Sequence, residues 1–139
     1  MEDTAKAIAV VAHQGQTRKF GPDKGKPYII HPERVAAMVY ADAQKAAAWL
    51  HDTIEDTSTT IEDLRNFGIT EEVVDIVKAV TRRDGETYFD FIWRIKGVLP
   101  AIDVKVADLL DNASTLREGS LKDKYRLAYC LLTGRKPPF

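Results

Sequence analysis

The fold of this chain is decided by the stretch Ala46-Ala47-Ala48-Trp49-Leu50-His51-Asp52-Thr53-Ile54-Glu55-Asp56. Its first half is apolar and predicts a buried helix over residues 43–52. Its second half places one imidazole and three carboxylates within six residues, which a solvated surface rarely requires. Two interpretations follow: a solvated acidic helix end with an incidental histidine, or a metal site. In the metal site, His51 and Asp52 are adjacent ligands, and Glu55 and Asp56 lie one turn beyond them.

Helical spacing of apolar residues extends from this stretch in both directions. Upstream, we predict a helix from a cap at Asp3 to about Gly15, and another opened by Pro32 and ending near Tyr40. Downstream, five helices are predicted: one capped by Thr59 with Glu62 and stopped at Gly68, one from Thr70 to Val80, one carrying Phe89, Ile92 and Trp93, one from Pro100 to about Leu116, and one from Leu121 to Leu132.

No segment has the alternating pattern of a convincing β-strand. The sequence therefore predicts an all-α fold, a compact helical bundle of about seven or eight helices. The length of 139 residues, with 45% hydrophobic and 29% charged residues, is typical of one soluble globular domain, predicted to span residues 1–139. Such a chain buries roughly two-thirds of its unfolded surface, so its core requires no structural metal or disulfide.

The formal net charge of -1 argues against broad nucleic-acid binding, which needs a strongly basic surface. The longest apolar run, Ala7 to Ala12, is too short to span a bilayer, and acidic Glu2 and Asp3 do not resemble the start of a signal peptide. We expect a cytoplasmic protein that is not bound to a membrane. The single cysteine, Cys130, cannot form an internal disulfide, and its apolar neighbours predict burial.

Two further segments carry polar residues in a chemically suggestive pattern. Glycines and prolines predict a loop over residues 17–30, and its cations suit an anion: Arg18, Lys19, Lys24 and Lys26, with Arg34 following. Lys105, Asp108, Asn112 and Thr115 are spaced 3, 4 and 3 residues apart, so they share one helical face. That helix should be largely buried, so Asp108 needs a partner, which is a metal ion, Lys105 or a hydroxyl group. The alternative is a Lys105–Asp108 pair on the surface.

The histidines His31 and His13 differ in context. His31 lies between the apolar Tyr28-Ile29-Ile30 run and Pro32, a fixed geometry that suits a metal ligand. His13 closes an alanine-rich helix face, where a hydrogen-bonded structural role is the more common one.

Four strings in this order resemble the HD-domain metal-dependent phosphohydrolases: Ala12-His13-Gln14-Gly15-Gln16-Thr17-Arg18-Lys19, Pro27-Tyr28-Ile29-Ile30-His31-Pro32, Leu50-His51-Asp52-Thr53-Ile54-Glu55-Asp56 and Lys105-Val106-Ala107-Asp108. Within that superfamily the chain resembles the hydrolase domain of RelA/SpoT-type enzymes and their small hydrolase-only relatives. Those enzymes remove the 3′-pyrophosphate of guanosine tetra- and pentaphosphate, (p)ppGpp, using manganese. The likeness covers about Ala5 to Thr115.

The resemblance implies one metal, held here by His31, His51, Asp52 and Asp108. Mixed imidazole and carboxylate ligands suit Mn²⁺, and they are also compatible with Fe²⁺, Co²⁺ or Zn²⁺. The resemblance further implies catalytic roles for Glu55 and Asp56, which would position or deprotonate the attacking water. The substrate-binding residues implied are Arg18, which packs on guanine, Asn112 and Thr115 near the ribose and phosphates, and Lys19 on a phosphate.

The chain departs from the family pattern at two places. The loop between Arg18 and His31 is longer, and Asp111 stands where relatives often carry a neutral or aromatic residue. The leading hypothesis is a manganese-dependent (p)ppGpp 3′-pyrophosphohydrolase with a small nucleotide as its partner. Two alternatives stay open: an HD phosphohydrolase acting on a different nucleotide, and a catalytically inactive module that binds a nucleotide or another protein.

Overall fold

The computed structural model describes all residues from 1 to 139 and contains nine α-helices. In chain order they are α1 (Glu2–Ala12), α2 (Ile30–Ala37), α3 (Asp42–Leu50), α4 (Thr53–Asp56), α5 (Ile61–Asn66), α6 (Glu71–Val80), α7 (Tyr88–Lys96), α8 (Leu99–Ala113) and α9 (Ser120–Thr133). There is no β-strand, and one isolated bridge joins Thr17 to Pro27. The predicted all-α bundle is therefore confirmed. The helix that the sequence did not predict is α4, a single turn without room for an apolar period.

Helix α3 lies at the centre of the bundle. It packs against α1, α2, α6 and α8, and its five residues from Ala46 to Leu50 are all buried. Alanine allows neighbouring helices to approach closely on every side, so this short helix can be surrounded. Because the chain continues from Leu50 directly into His51 and Asp52, the first two polar side chains after α3 lie within the molecule: His51 is buried and Asp52 is partly buried.

Several helix boundaries differ from the predicted ones by one to three residues. The capping box of α5 uses Thr60 and Asp63 rather than Thr59 and Glu62, because Thr60 has the extended backbone that a cap requires. Helix α2 already begins at Ile30, which makes Pro32 its third residue, where a missing amide hydrogen is still tolerated. Helix α8 ends at Ala113, so Thr115 lies beyond it.

The predicted burial of Cys130 is wrong. Its side chain is exposed on α9, whereas Ala128 and Leu132 on the same helix are buried. Two residues along a helix correspond to a rotation of about 200°, so a residue midway between Ala128 and Leu132 faces away from them. No helix of the chain combines the length and the apolar composition needed to cross a membrane.

Candidate metal centre

Four side chains from separate parts of the fold converge at one point. His31 comes from α2, His51 and Asp52 from the junction of α3 and α4, and Asp108 from α8. One ligand atom from each lies within 4.8 Å of all the others. His31, His51 and Asp108 are 1%, 3% and 5% exposed. The structure thus brings together all four residues that the sequence suggested as metal ligands. Of the stretch that contains two of them, His51 is buried, whereas Glu55 and Asp56 are exposed.

The two imidazole rings turn the same nitrogen toward this point. Nδ1 of His51 lies 2.6 Å from the carbonyl oxygen of Ala48, and Nδ1 of His31 lies 2.6 Å from Oδ2 of Asp111. Because both partners accept hydrogen bonds, each Nδ1 carries a hydrogen, and each Nε2 is free to offer a lone pair. The two Nε2 atoms are 3.2 Å apart.

The carboxylates complete a donor set that a divalent cation fits. Oδ1 of Asp108 lies 2.9 Å from Nε2 of His31, and Oδ2 of Asp52 lies 3.0 Å from Nε2 of His51. Lone pairs and negative charge gathered this closely in a buried site repel one another unless a proton or a cation lies among them. Two imidazole nitrogens and two carboxylate oxygens are suitable ligands for a divalent transition metal.

The neighbouring carboxylates change the pKa values of the two histidines in this cluster. Burial lowers the pKa of His51, but the charges of Asp52 and Asp108 outweigh it and hold that pKa well above its usual value. Burial likewise opposes protonation of His31, whose pKa is nevertheless raised by hydrogen bonds to Asp108 and Asp111. Protons and a cation therefore compete for the same two nitrogen atoms.

Asp108 has three kinds of partner at once. Its Oδ2 accepts a hydrogen bond of 2.8 Å from Lys105, and its Oδ1 accepts one of 2.9 Å from Asn112 in addition to facing the histidines. Lys105 is itself largely buried, with its ammonium group 5.3 Å from the centre of the Phe91 ring. The alternative of a surface pair is therefore wrong, because the Lys105–Asp108 pair lies inside the molecule.

Glu55 and Asp56 lie on α4, immediately beside the cluster. Glu55 lines a polar cavity of about 40 Å³ together with His51, Asp52, Lys105 and Asp108, which is room for one or two water molecules. Its carboxylate accepts a hydrogen bond from the backbone N–H of Arg82. Burial raises the pKa of Glu55, and the charge of Asp52 adds to that rise, while the hydrogen bond from Arg82 opposes it. Burial and Asp52 also raise the pKa of Asp56.

His13 has a structural position. Its Nδ1 lies 2.8 Å from the side-chain oxygen of Gln16, whose amide donates a hydrogen bond of 2.8 Å to the carbonyl oxygen of Asp56. This agrees with the expectation of a hydrogen-bonded structural histidine. Gln16, in the turn that follows α1, thus also contacts the last residue of α4, the helix that carries Glu55 and Asp56.

The residues suggested for substrate binding are only partly brought together. Arg18 donates a hydrogen bond of 3.1 Å to the side-chain oxygen of Asn112, and its guanidinium lies 5.5 Å from the centre of the Tyr28 ring. Thr115 is exposed. The loop between α1 and α2 passes close to this residue, since a Cβ placed on Gly21 (φ 74°) would lie 3.4 Å from the Oγ1 of Thr115. Lys19 is exposed and forms no hydrogen bond or ion pair with the cluster.

Sequence reasoning missed the part that Tyr28 takes in the site. Its hydroxyl donates a hydrogen bond of 2.6 Å to Oδ2 of Asp52, and its ring packs between His13 and His31. Burial and the neighbouring charge of Asp52 raise the pKa of Tyr28, so the hydroxyl stays a donor. In the sequence, Tyr28 begins an apolar run, so its side chain is expected to be part of the hydrophobic core and its hydroxyl group draws no attention.

Comparisons with known proteins identify relatives of this chain. The chain is 37% identical over 121 residues to guanosine-3′,5′-bis(diphosphate) 3′-pyrophosphohydrolase of Aquifex aeolicus, covering 76% of this chain and 17% of that protein. It is 36% identical over 136 residues to the bifunctional (p)ppGpp synthase/hydrolase SpoT of Escherichia coli, covering 86% and 18%. The chain thus spans less than a fifth of the length of these curated relatives. No protein-family model matches it.

A further relative and a solved structure complete the comparison. A GTP pyrophosphokinase of Myxococcus xanthus is 33% identical over 135 residues, covering 84% of this chain and 17% of that protein. The structure of a metazoan ortholog of SpoT, which hydrolyses ppGpp and plays a role in starvation responses, superposes with a TM-score of 0.74. It covers 97% of this chain and 86% of that one at 22% identity, and it shows that the two share a fold.

Proposed function

The chain belongs to the RelA/SpoT type of HD domains, and from that membership we propose that it hydrolyses the 3′-pyrophosphate of (p)ppGpp with the help of a divalent metal, preferably Mn²⁺. The products are GDP or GTP and pyrophosphate. One observation carries the proposal: three of the four candidate ligands, His51, Asp52 and Asp108, line one small cavity together with Glu55. The fourth, His31, has its ligand atom within 4.8 Å of the other three. A module that only binds a nucleotide does not require the carboxylate of Glu55 beside the candidate ligands.

In this proposal, His31, His51, Asp52 and Asp108 hold the metal. When bound, the metal polarises the phosphoryl group and lowers the pKa of the attacking water. The water oxygen bonds to the phosphorus atom attached to the 3′ oxygen, the bond from that phosphorus to the 3′ oxygen breaks, and pyrophosphate leaves. The nucleoside 3′ oxygen ends as a hydroxyl group.

Glu55 and Asp56 move the protons of this reaction. Glu55 lines the cavity and is held by the N–H of Arg82, so it is oriented to accept a proton from the water. Because the pKa of Glu55 is raised, it is a stronger base than a glutamate of ordinary pKa. We assign Asp56 the return of a proton to the leaving 3′ oxygen, since its raised pKa favours a transient protonated form.

The nucleoside is held by the loop and by the end of α8. We propose that Arg18 packs on the guanine, because Tyr28 already supports its guanidinium from one side. Asn112 and Thr115 then face the ribose and the phosphates, and Lys19 extends from the loop to a phosphate. The exposure of Lys19 suits a cation that becomes ordered only when the substrate binds.

A direct assay tests the proposal. Purified protein is incubated with ppGpp and Mn²⁺, with and without a chelator, and the products are resolved by anion-exchange chromatography beside a panel of 5′-nucleotides. Equimolar GDP and pyrophosphate, formed only with metal, is the expected result. Metal-dependent turnover of another nucleotide in the panel, without hydrolysis of ppGpp, would support the metal centre but contradict ppGpp as the substrate. Metal binding without any turnover would indicate the binding module.

One observation favours the alternative substrate, a nucleotide other than (p)ppGpp. Two cations near the loop, Lys26 and Arg34, are both paired with Asp23, which leaves fewer free charges for a polyanionic ligand. A nucleotide with fewer phosphates than ppGpp would require less positive charge. In either case the proposed partner is a small nucleotide met in the cytoplasm, with no role for nucleic acid or membrane. Cell fractionation with an antibody to the chain tests the location.

A further inference from the structure

A single helical turn of α8 holds His31 from both sides of its ring. Asp108 faces Nε2 at 2.9 Å, and Asp111, three residues later, faces Nδ1 at 2.6 Å. Residues three apart on a helix lie on the same face, so the spacing alone brings both carboxylates to the same ring. The ring itself is 1% exposed. The two carboxylates have different tasks, because only Nε2 faces the other candidate ligands.

Asp111 is in turn contacted by Arg34 of α2, which is itself paired with the loop that precedes this helix. Its second carboxylate oxygen lies 3.8 Å from the guanidinium of Arg34. Arg34 also forms an ion pair with Asp23, and Asp23 is further paired with Lys26 at 3.3 Å. A continuous series of charged contacts therefore runs from the loop, through Arg34 and Asp111, to His31.

We propose that Asp111 is a positioning residue for the metal centre, one that fixes the ring of His31 with Nε2 directed at the cation, and that Arg34 and Asp23 hold Asp111 in this place. The inference rests on the proposed function, because it requires the cation. A carboxylate on the outer nitrogen of a metal-binding histidine fixes its tautomer and makes it a stronger ligand.

Asp111 is also the position at which this sequence departs from its family's usual residue. On sequence grounds it adds negative charge beside the substrate, but the geometry gives that charge another use. Asp111 is 9% exposed, and its two oxygens face His31 and Arg34. The substrate therefore meets little of the charge.

Calorimetric titration of the protein with Mn²⁺ alone tests the inference without reference to turnover. Asp111→Ala removes the acceptor at Nδ1, and we expect about a 10- to 100-fold weaker affinity for Mn²⁺. Asp111→Asn keeps an oxygen that can accept the same hydrogen bond, so it should restore most of the affinity. Asp103→Ala is the matched control, since Asp103 lies on the same helix, accepts one hydrogen bond from Gln44 and does not touch the cluster. Its affinity should equal that of the unsubstituted protein.

The controls separate the two proposals. If the unsubstituted protein binds no Mn²⁺, the metal centre itself is refuted and the role of Asp111 falls with it. If the unsubstituted protein binds Mn²⁺, His51→Ala does not, and Asp111→Ala binds as tightly as Asp103→Ala, only the role of Asp111 is overturned. Asp111→Asn binding no better than Asp111→Ala would also count against the hydrogen bond.

A measurement on the unsubstituted protein covers the case in which Asp111→Ala does not fold. Long-range ¹H–¹⁵N correlation of the protein loaded with diamagnetic Zn²⁺ reports which nitrogen of His31 carries the proton. We expect the proton on Nδ1 and the metal on Nε2, and the reverse assignment would overturn the inference.

Arg34→Met leaves the carboxylate of Asp111 in place and removes a largely solvated partner, so the Mn²⁺ affinity of this variant should fall by only about 1.5- to 5-fold.

Discussion

The Nε2 atoms of His31 and His51 lie 3.2 Å apart in the interior of the protein, although the Nδ1 of each ring already has an acceptor. Neither nitrogen can satisfy the other while both carry lone pairs. Two carboxylates adjoin the same point, so a shared proton or a shared cation has to compensate for the repulsion. This contact is the structural reason to regard the cluster as a metal centre.

Substitution of a ligand should therefore abolish metal binding. We expect that His51→Ala and Asp52→Ala bind no Mn²⁺ in calorimetry and show no turnover of ppGpp. The unsubstituted protein should gain about 2.7 kcal/mol of unfolding free energy at 100 times the dissociation constant, and both variants should lose that gain. Asp75→Ala, an exposed position on α6, serves as the control. Metal-dependent turnover by either ligand variant would contradict the assignment.

Replacement of Glu55 should separate binding from chemistry. Glu55→Gln keeps the size of the side chain and a hydrogen-bond acceptor for Arg82, but it cannot accept a proton. We expect kcat to fall by about 10²- to 10⁴-fold, with Mn²⁺ affinity and KM for ppGpp changed little. Glu72→Gln, on the exposed face of α6, should leave every parameter unchanged. A normal kcat in Glu55→Gln would assign proton transfer to another group, with Asp56 the first to test.

The sequence singled out the four converging side chains because they lie in short, regular segments. His51 and Asp52 follow an apolar helix directly, and Asp108 shares a helical face with Asn112, so periodicity was enough to single them out. That these segments meet in space came from the family resemblance. No sequence pattern of this chain alone brings α2, α3 and α8 to one point.

The supporting contacts were beyond sequence reasoning because they join distant, unpatterned residues. Tyr28 donates to Asp52, 24 positions away, and Glu55 accepts from a backbone N–H at Arg82. A hydroxyl at the end of an apolar run and a backbone amide in a turn give no periodic signal. Helix α4 was missed for a similar reason, since one turn has no period to detect.

Arg94 on α7 should contribute more to the free energy of unfolding than an exposed arginine does. Its guanidinium donates hydrogen bonds to three carbonyl oxygens at the end of α6, those of Lys78, Ala79 and Thr81, and it pairs with Glu86 at 2.8 Å. The last carbonyl groups of a helix lack partners within that helix, so Arg94→Ala removes the donor to Ala79 and Thr81, while the carbonyl oxygen of Lys78 keeps the N–H of Thr81. We expect a loss of about 2 kcal/mol in the free energy of unfolding by urea.

Arg65→Ala is the matched control for Arg94→Ala. Arg65 also forms two ion pairs, with Glu62 and Glu71, but all three side chains are exposed, so its loss should be below about 1 kcal/mol. Arg94→Ala should also lower kcat, because the turn that Arg94 fixes carries the N–H of Arg82 that holds Glu55. Equal stability losses in the two variants would contradict a special role for Arg94.

The Glu86–Arg94 pair should also give the protein a characteristic acid dependence. The hydrogen bond from Arg94 lowers the pKa of Glu86 from 4.5 to about 2, against the opposing effect of burial. Because the folded pKa lies below the unfolded one, the contribution of Glu86 is complete above about pH 5 and is lost as the pH falls toward 2. The difference in unfolding free energy between the unsubstituted protein and Glu86→Gln should thus be largest at pH 7 and shrink through pH 4 and 3. Glu118→Gln, whose glutamate is far more exposed beside Arg126, should show the same trend with a smaller amplitude. A difference for Glu86→Gln that stays constant or grows toward acid would contradict the lowered pKa.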